Sequence, residues 1–467
     1  MKIANLSIMG LLLTMSLHIP PAKAALPHQA CTSPECLHCP ALSDPKQYEA
    51  GSMKIMRYIA PGTGSWLFRS DVDLTNDFGV PTAMEPELAR LISTFANYGT
   101  EVVMVVQPTR GLMHRDKIRP EFAYGFDYEI ASGNLRHLLS QMRNAGAIVP
   151  DVMQLLDNTD GEDYFFRRDT HWTPSGAEAT ARLTADEIMR HPVYAGLTRT
   201  SYRTEPSVII PKDGAHNMTL DHLCGNDFGY QYVQNFHTVP EVDDVSALFD
   251  DIEEPAVVLI GTSNSAARDE DTKQYNFDGY LKEYLSTNLL NFALPGAGEA
   301  GAMTEYLHSS SYSPERAPKL LIWELPANYQ LGSEEMYRQL IPAVEGGCSA
   351  RTELLSGKID RSSYAEGDRI EVLSNMGDRR QPLKGAEGVL DIQMSDRDLR
   401  NFYVIVYYDN GSRDKVWIRR PGIVAGGQYY LELSRAPEFR NANLMSVFIE
   451  PTQASDKPIS MEVSLCQ

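Results

Sequence analysis

The stretch RRDTHWTPSGAEA, residues 167–179, sets an aspartate and a histidine two residues apart, just before a segment able to start a helix. A serine hydroxyl is a poor nucleophile until an imidazole takes its proton. The imidazole in turn needs a carboxylate to hold its tautomer and stabilise the imidazolium. In an extended segment residues i and i+2 point the same way, so Asp169 is expected to orient His171 without help from distant sequence. Thr173 or Ser175 can cap the helix that follows, and Pro174 suits its first turn. The matching serine is Ser263 in VVLIGTSNSAA, where an apolar run ends and Gly261 allows a tight turn. Ser265 is its competitor, two residues further on. Backbone N–H groups of Ser263 and of the PGAG loop at Gly296 or Gly298, the Asn328 amide and the Tyr329 hydroxyl are the candidate donors to an oxyanion. Taken singly, each feature has a blander reading as a surface pair, a cap or a turn. Together they point to acyl transfer.

The groups must be positioned by elements, and residues 101–330 repeat one theme. Apolar runs (EVVMVVQPTRG, PAVVLIGTSNS, NLLNFALPGAG, KLLIWELPANYQ) each end in a polar loop with Gly or Pro. Short continuous apolar runs bounded by turn signals are expected as buried parallel strands. EPELARLISTFANYG and SGNLRHLLSQMRNAG carry helical periodicity. The expectation is an α/β fold with a mostly parallel sheet. In such sheets ligands bind beyond the carboxyl ends of the strands, which directs attention to Gln107, Ser263, Gly296–Gly298 and Asn328. A two-carboxylate glycosidase using Asp169 and Glu324 has nothing in the sequence to fix the separation it needs.

Beyond about residue 350 the helical periodicity fades. RNFYVIVYYDNGSRDKVWIRRPG, QYYLELSRA and NLMSVFIEPT read as strands, with an Asn410-Gly411 hairpin signal. A small β-sandwich or barrel is expected here. The net charge is −20, yet residues from Arg351 onward hold 16 Lys and Arg against 17 Asp and Glu. Nearly all the acidity therefore precedes them, and a domain boundary falls near Cys348. Arg397, Arg400, Arg413, Lys415, Trp417, Arg419 and Arg420 cluster in this region. Alternation puts Arg413, Lys415, Trp417 and Arg419 on one strand face. A tryptophan among cations suits an anionic sugar: the ring offers an apolar face and guanidinium groups pair with carboxylates.

Residues 1–24 read as a secretory signal, with Lys2, the apolar run LSIMGLLLTMSL and a small-x-small site at Ala22-Lys23-Ala24. No later stretch approaches the roughly 18 apolar residues of a membrane span. The remaining chain of about 440 residues suggests two or three domains. Six cysteines in a secreted chain permit three disulfides. Cys31, Cys36 and Cys39 lack partners at zinc spacing, so no metal is expected. The strong acidity argues against a nucleic-acid partner.

G-T-S after a strand, D-T-H-W before a helix, GSWLF at 64–68, NFDG at 276–279 and WELPANYQ at 323–330 together resemble the AlgX/AlgJ group of periplasmic alginate O-acetylation proteins. The resemblance runs over nearly the whole chain, and the C-terminal β-region fits the AlgX type. It implies an SGNH-hydrolase-like catalytic domain over 25–345 and a carbohydrate-binding module over 346–467. It also implies a triad of Asp169, His171 and Ser263, with acetyl carried as an ester on Ser263, and the pairs Cys39–Cys224 and Cys348–Cys466. The implied partners are alginate, an acetyl donor delivered by membrane acetylation proteins, and export-complex proteins. The implied protein is a periplasmic monomer without a cofactor. D-x-H replaces the common D-x-x-H of SGNH enzymes and precedes the serine, which fits the alginate branch. Two rival functions use the same features: a hydrolytic esterase with water as acceptor, and a non-catalytic polysaccharide-binding scaffold.

Overall fold

The run EVVMVVQ is buried along nearly its whole length, as befits a strand covered on both faces of a parallel sheet. The computed structural model describes residues 39–157, 162–241, 256–384, 388–420 and 426–467. The signal segment and Cys31 and Cys36 lie outside the described residues. The chain opens with a small antiparallel pair, β1 (Ile59–Pro61) and β2 (Leu67–Arg69), then α1 (Glu85–Asn97) and β3 (Glu101–Gln107). After α2 (Arg110–Met113), α3 (Tyr128–Asn144) and α4 (Pro174–Arg190), β4 (Tyr202–Lys212) and β5 (Gln231–Pro240) pair antiparallel, with α5 (Ala215–Cys224) between them in sequence. Next come β6 (Val257–Ile260), α6 (Phe277–Leu285), β7 (Leu290–Asn291), α7 (Gly301–Leu307), β8 (Leu320–Pro326) and α8 (Glu334–Val344).

Strands β3, β8, β6 and β7 form one parallel sheet in that spatial order. β6 therefore lies between β7 and β8, and the loops after all four strands open at the same edge, where such sheets bind ligands. Of the four apolar runs, NLLNFALPGAG contributes a strand of only two residues. Beyond Asn291 the run still follows β6, the Phe292 and Leu294 N–H groups donating to the Leu259 and Gly261 carbonyls, and it then turns at Gly296 and Gly298, both at positive φ.

The second unit consists of β9 (Glu353–Arg361), β10 (Ile370–Ser374), β11 (Val389–Met394), β12 (Asn401–Tyr408), β13 (Arg413–Arg419), β14 (Gln428–Glu432), β15 (Leu444–Pro451) and β16 (Ile459–Cys466), with the short α9 (Pro437–Arg440) before β15. They make two four-stranded antiparallel sheets, β10-β15-β12-β13 and β14-β11-β16-β9. Alternating residues such as Ile392, Phe402, Val404, Leu431, Val447 and Val463 fill one core of the second unit.

Ion pairs fix one unit against the other. Arg338 of α8 donates to the Glu432 carbonyl at 2.9 Å and to Asp414 at 2.5 Å. Arg90 of α1 pairs with the Glu432 carboxylate at 2.6 Å. Cys39 pairs with Cys224 and Cys348 with Cys466, each with Cα atoms 5.6 Å apart, in the pairing the resemblance implies. The second bridge joins the two ends of the β-unit across 118 residues. Replacing both Cys348 and Cys466 by serine releases that loop in the unfolded state and is expected to destabilise the β-unit by about 2–5 kcal/mol. Urea unfolding followed by far-ultraviolet circular dichroism measures it; an unchanged midpoint would show that the bridge adds nothing.

Candidate functional site

His171 Nε2 lies 2.9 Å from Ser263 Oγ, and His171 Nδ1 lies 2.5 Å from Asp169 Oδ1. The three side chains form one hydrogen-bonded line at the carboxyl edge of the sheet. Asp169 and His171 do not sit in the extended segment their spacing suggested. They occupy a tight loop in which Phe165 bridges Trp172 and the Thr173 N–H donates to the Tyr164 carbonyl. The Asp169 carboxylate accepts from the His171 backbone N–H at 3.1 Å, so the short acid folds the backbone around itself. Thr173, rather than Ser175, caps α4 by accepting from the Gly176 N–H, with Pro174 in the first turn. Ser175 donates instead to Glu162.

Two groups remote in sequence hold this loop. The buried Arg110 guanidinium donates to the carbonyl oxygens of Leu67, Phe166, Arg167 and Asp169, all within 2.8 Å. On the other side, the Trp172 N–H donates to Asn264 Oδ1 at 3.1 Å and its indole N–H donates to the Asn264 carbonyl at 3.0 Å. His171 is thereby tied to the residue that follows Ser263.

Ser265 is excluded as a rival nucleophile by its surroundings. It is buried and donates its hydroxyl to Glu324 at 3.0 Å. Glu324 also accepts from the Thr262 N–H and hydroxyl, at 2.7 and 2.9 Å. Burial pushes its carboxyl above the ordinary range, although these hydrogen bonds oppose the rise. Glu324 thus buttresses the serine loop from below and is fully buried, which removes the glycosidase reading. Gly261 is required here, since a Cβ at this position would lie 2.7 Å from Glu324 Oε2.

The electrostatics favour an ionised Asp169. Burial alone would raise its carboxyl, but His171, its hydrogen bond, Lys212 and the Ala215 N–H together hold it well below the ordinary value. Lys212 lies 3.3 Å from Asp169 Oδ1 and donates to the Tyr275 hydroxyl at 2.7 Å. Burial opposes the charge on Lys212, yet Asp169 and Tyr275 raise its pKa on balance. The Ala215 N–H reaches Asp169 Oδ2 at 2.8 Å because Gly214, at φ +95°, turns the chain tightly against the Arg168 carbonyl. Lys212, Tyr275, Arg110 and Asn264 escaped the sequence reading. Of these, Asn264 follows Ser263, Tyr275 immediately precedes NFDG and Arg110 lies in the run EVVMVVQPTRG, while Lys212 lies near no motif.

Gly296, Gly298, Asn328 and Tyr329 line the same cavity as Ser263, of about 380 Å³, together with Gln107 and Thr170. A second cavity of about 220 Å³ lies between the two units and shares Gly296 and Ala297 with the first. Its far wall is Trp417, Arg419 and Arg420. Arg413, Lys415, Trp417 and Arg419 all point outward from β13, as the alternation predicted. The face is less uniformly basic than expected. Lys415 is paired with Glu450 at 2.7 Å, and Arg369 with the same carboxylate at 3.1 Å. Arg420 is buried on Tyr429 and donates to the Gln428 carbonyl. Arg397 and Arg400 precede β12 and line neither cavity; Arg397 donates to the Gly426 carbonyl. Tyr403, missed in the sequence, stacks beside Trp417 with ring centroids 6.0 Å apart. Among the described residues no cluster of His, Cys, Asp and Glu could hold a metal, and no helix is long and apolar enough to cross a membrane.

Fold and site define a class: an SGNH-hydrolase-like α/β domain followed by a β-sandwich of carbohydrate-binding type. A profile for "SGNH hydrolase-like domain, acetyltransferase AlgX" matches residues 59–327, and one for a C-terminal carbohydrate-binding module matches 347–467. The chain belongs to the AlgX family. It is 32% identical to the alginate biosynthesis protein AlgX of Pseudomonas fluorescens over 93% of this chain and 88% of that one. The solved structure of Pseudomonas aeruginosa AlgX superposes with a TM-score of 0.81 at 31% identity, covering 92% of this chain and 99% of that one. The Pseudomonas putida protein named "Probable alginate O-acetylase AlgJ" is 30% identical over 58% of this chain and 70% of its own length. The two disulfides fit a protein of an oxidising compartment.

A depressed folded-state pKa stabilises the fold wherever the carboxyl would be ionised when unfolded. For Asp169 that contribution is present above the ordinary value of 3.8 and is lost as pH falls through the lower folded value. Asp169→Asn is therefore expected to lose about 1–3 kcal/mol of stability near neutrality. The gap to the wild type should close in strong acid. Denaturant melts across the acid range measure this, and a gap that widened steadily with acidity would contradict it.

Proposed function

We propose that this protein transfers acetyl groups through Ser263 to hydroxyls of mannuronate residues in alginate, in the periplasm. The observation that carries the reading is the 2.9 Å contact between His171 Nε2 and Ser263 Oγ, with Nδ1 of the same ring held by a buried, ionised carboxylate. The names of the AlgX and AlgJ relatives support the polymer and the group transferred.

In the first half-reaction Ser263 Oγ adds to the carbonyl carbon of a donor acetyl ester while its proton passes to His171 Nε2. The carbonyl electron pair moves onto oxygen, and donors around the cavity stabilise it. Collapse restores the carbonyl and breaks the bond to the donor oxygen, which leaves with the proton from His171. In the second half-reaction a sugar hydroxyl adds to the acetyl-serine, His171 takes its proton, and Ser263 leaves with it. Asp169 stays ionised throughout and stabilises the imidazolium. Gly296, Gly298, Asn328 and Tyr329 line the Ser263 cavity, which supports them as donors to the oxyanion.

The polymer is captured by the exposed face of β13. Trp417 and Tyr403 offer stacking surfaces to sugar rings, and Arg413 and Arg419 pair with uronate carboxylates. Because the cleft at Trp417 shares Gly296 and Ala297 with the Ser263 cavity, a chain lying on Trp417 leads directly to the nucleophile. Such a track favours transfer to the polymer over transfer to water.

Ser263→Ala is expected to lower acetyl transfer to mannuronate oligomers by about 10⁴-fold or more with secondary structure intact. Mass analysis of the oligomers after incubation with an acetyl donor reads the result. Near-normal transfer would contradict the assignment, and free acetate as the sole product would turn the reading to an esterase. Trp417→Ala should weaken binding of long polymannuronate and leave the residual binding more sensitive to salt, because charge pairing then carries most of it. Turnover of a small acetyl ester on Ser263 should hardly change in that variant. Unchanged polymer affinity would remove β13 from the account.

A further inference from the structure

The side chain of Gln107 ends β3 beside the serine loop and is 4% exposed. The direction of its amide follows from a chain of hydrogen bonds. The Trp172 N–H can only donate, so the Asn264 atom facing it at 3.1 Å is the carbonyl oxygen Oδ1. Asn264 Nδ2 must then point the other way, and it donates to Gln107 Oε1 at 3.2 Å. With Oε1 committed to Asn264, Gln107 Nε2 is turned away from it. That nitrogen is buried and has no hydrogen-bond partner among the described residues. Gln107 lines the cavity that holds Ser263. Its backbone carbonyl accepts from the Ala327 N–H at 2.8 Å, pinning the residue against the loop that carries Asn328. Buried amide donors almost always have acceptors, and one left without a partner beside a nucleophile calls for a ligand oxygen.

We propose that Gln107 is a catalytic residue whose Nε2–H donates to the acyl carbonyl oxygen as it becomes an oxyanion. The proposal rests on Ser263 being the nucleophile. As the Ser263 Oγ–carbon bond forms, the carbonyl electron pair moves onto oxygen and the serine proton moves to His171. Gln107 gives up no proton and only strengthens its hydrogen bond as charge grows on the oxygen. It acts again when the sugar hydroxyl adds to the acetyl-serine. Its partner Asn264 is the residue clamped by Trp172, so one network sets both the base and the donor relative to the acyl group.

The test uses the full chain with p-nitrophenyl acetate and with the corresponding thionoacetate, in which sulfur replaces the carbonyl oxygen. Sulfur is a weak acceptor, so a donor to the oxyanion contributes little to the thiono reaction. Gln107→Met removes the donor and keeps the chain length. For the oxygen ester, kcat and kcat/KM should both fall about 10²–10³-fold, the signature of an interaction made only in the transition state. For the thionoester the loss should be much smaller, and the pH profile of the wild type should be retained. Gln107→Glu covers the case in which methionine disturbs the fold. It preserves the shape and the bond from Asn264 but presents an acceptor, and it should lose at least as much with the oxygen ester near neutral pH. Equal losses with both esters, or retained turnover in both variants while Ser263→Ala is inactive, would overturn the role of Gln107 alone. Turnover that persists in Ser263→Ala, or that the wild type lacks, would overturn the reading of Ser263 and this proposal with it.

Discussion

The clamp between Trp172 and Asn264 is the contact on which the site depends. His171 and Ser263 are 92 residues apart and belong to different loops, yet proton transfer between them requires hydrogen-bond distance. Two donors from Trp172 reach two acceptors of Asn264, one on the side chain and one on the backbone, and both bonds join the residue after His171 to the residue after Ser263. The indole is fully buried, packed on Phe277 with centroids 4.9 Å apart, so the clamp is anchored in the core of the α/β unit. A loop that carried His171 without this tie would be free to drift from the serine, and misplacement by about 1 Å can lower a rate a hundredfold.

Around that clamp the charges are arranged in layers. Arg110 holds the backbone of the D-x-H loop by carbonyl oxygens and leaves the Asp169 carboxylate to His171, Lys212 and Ala215. Burying a carboxylate is unfavourable unless it is compensated by hydrogen bonds and opposite charge, and Asp169 has both. Its neighbour Glu324 is equally buried but faces only neutral donors, and its carboxyl is pushed up where that of Asp169 is held down. Two acids within the same sheet edge thus take different parts. One holds the ring of His171, and the other braces the loop that carries Ser263.

Much of this could be read from the sequence. The strand ends, the helix start at Thr173 and Pro174, the outward face of β13 and the α/β-then-β order all follow from periodicity and turn chemistry, which are local. The D-x-H and G-T-S stretches were visible for the same reason. The sequence hid whatever depends on loops meeting in space. Lys212 and Tyr275 bear on Asp169 from 43 and 106 residues away, and nothing in the sequence, not even NFDG directly after Tyr275, ties either to that acid. Ser265 and Ser263 look alike in sequence; only the buried Glu324 beneath the loop separates them. The basic character of β13 was overstated because Glu450, on β15 one strand beyond β12, cannot be seen from the β13 sequence.

The two units act as one device only if the acyl group passes through the serine that the clamp holds. Trapping that intermediate tests the claim most directly. Wild-type protein mixed with an acetyl donor, quenched in acid within the first turnovers and digested, should carry a single acetyl group on the peptide containing Ser263. The label should disappear when mannuronate oligomers are added before the quench. Acetyl found on another residue, or none on Ser263 while the oligomers become acetylated, would contradict the account.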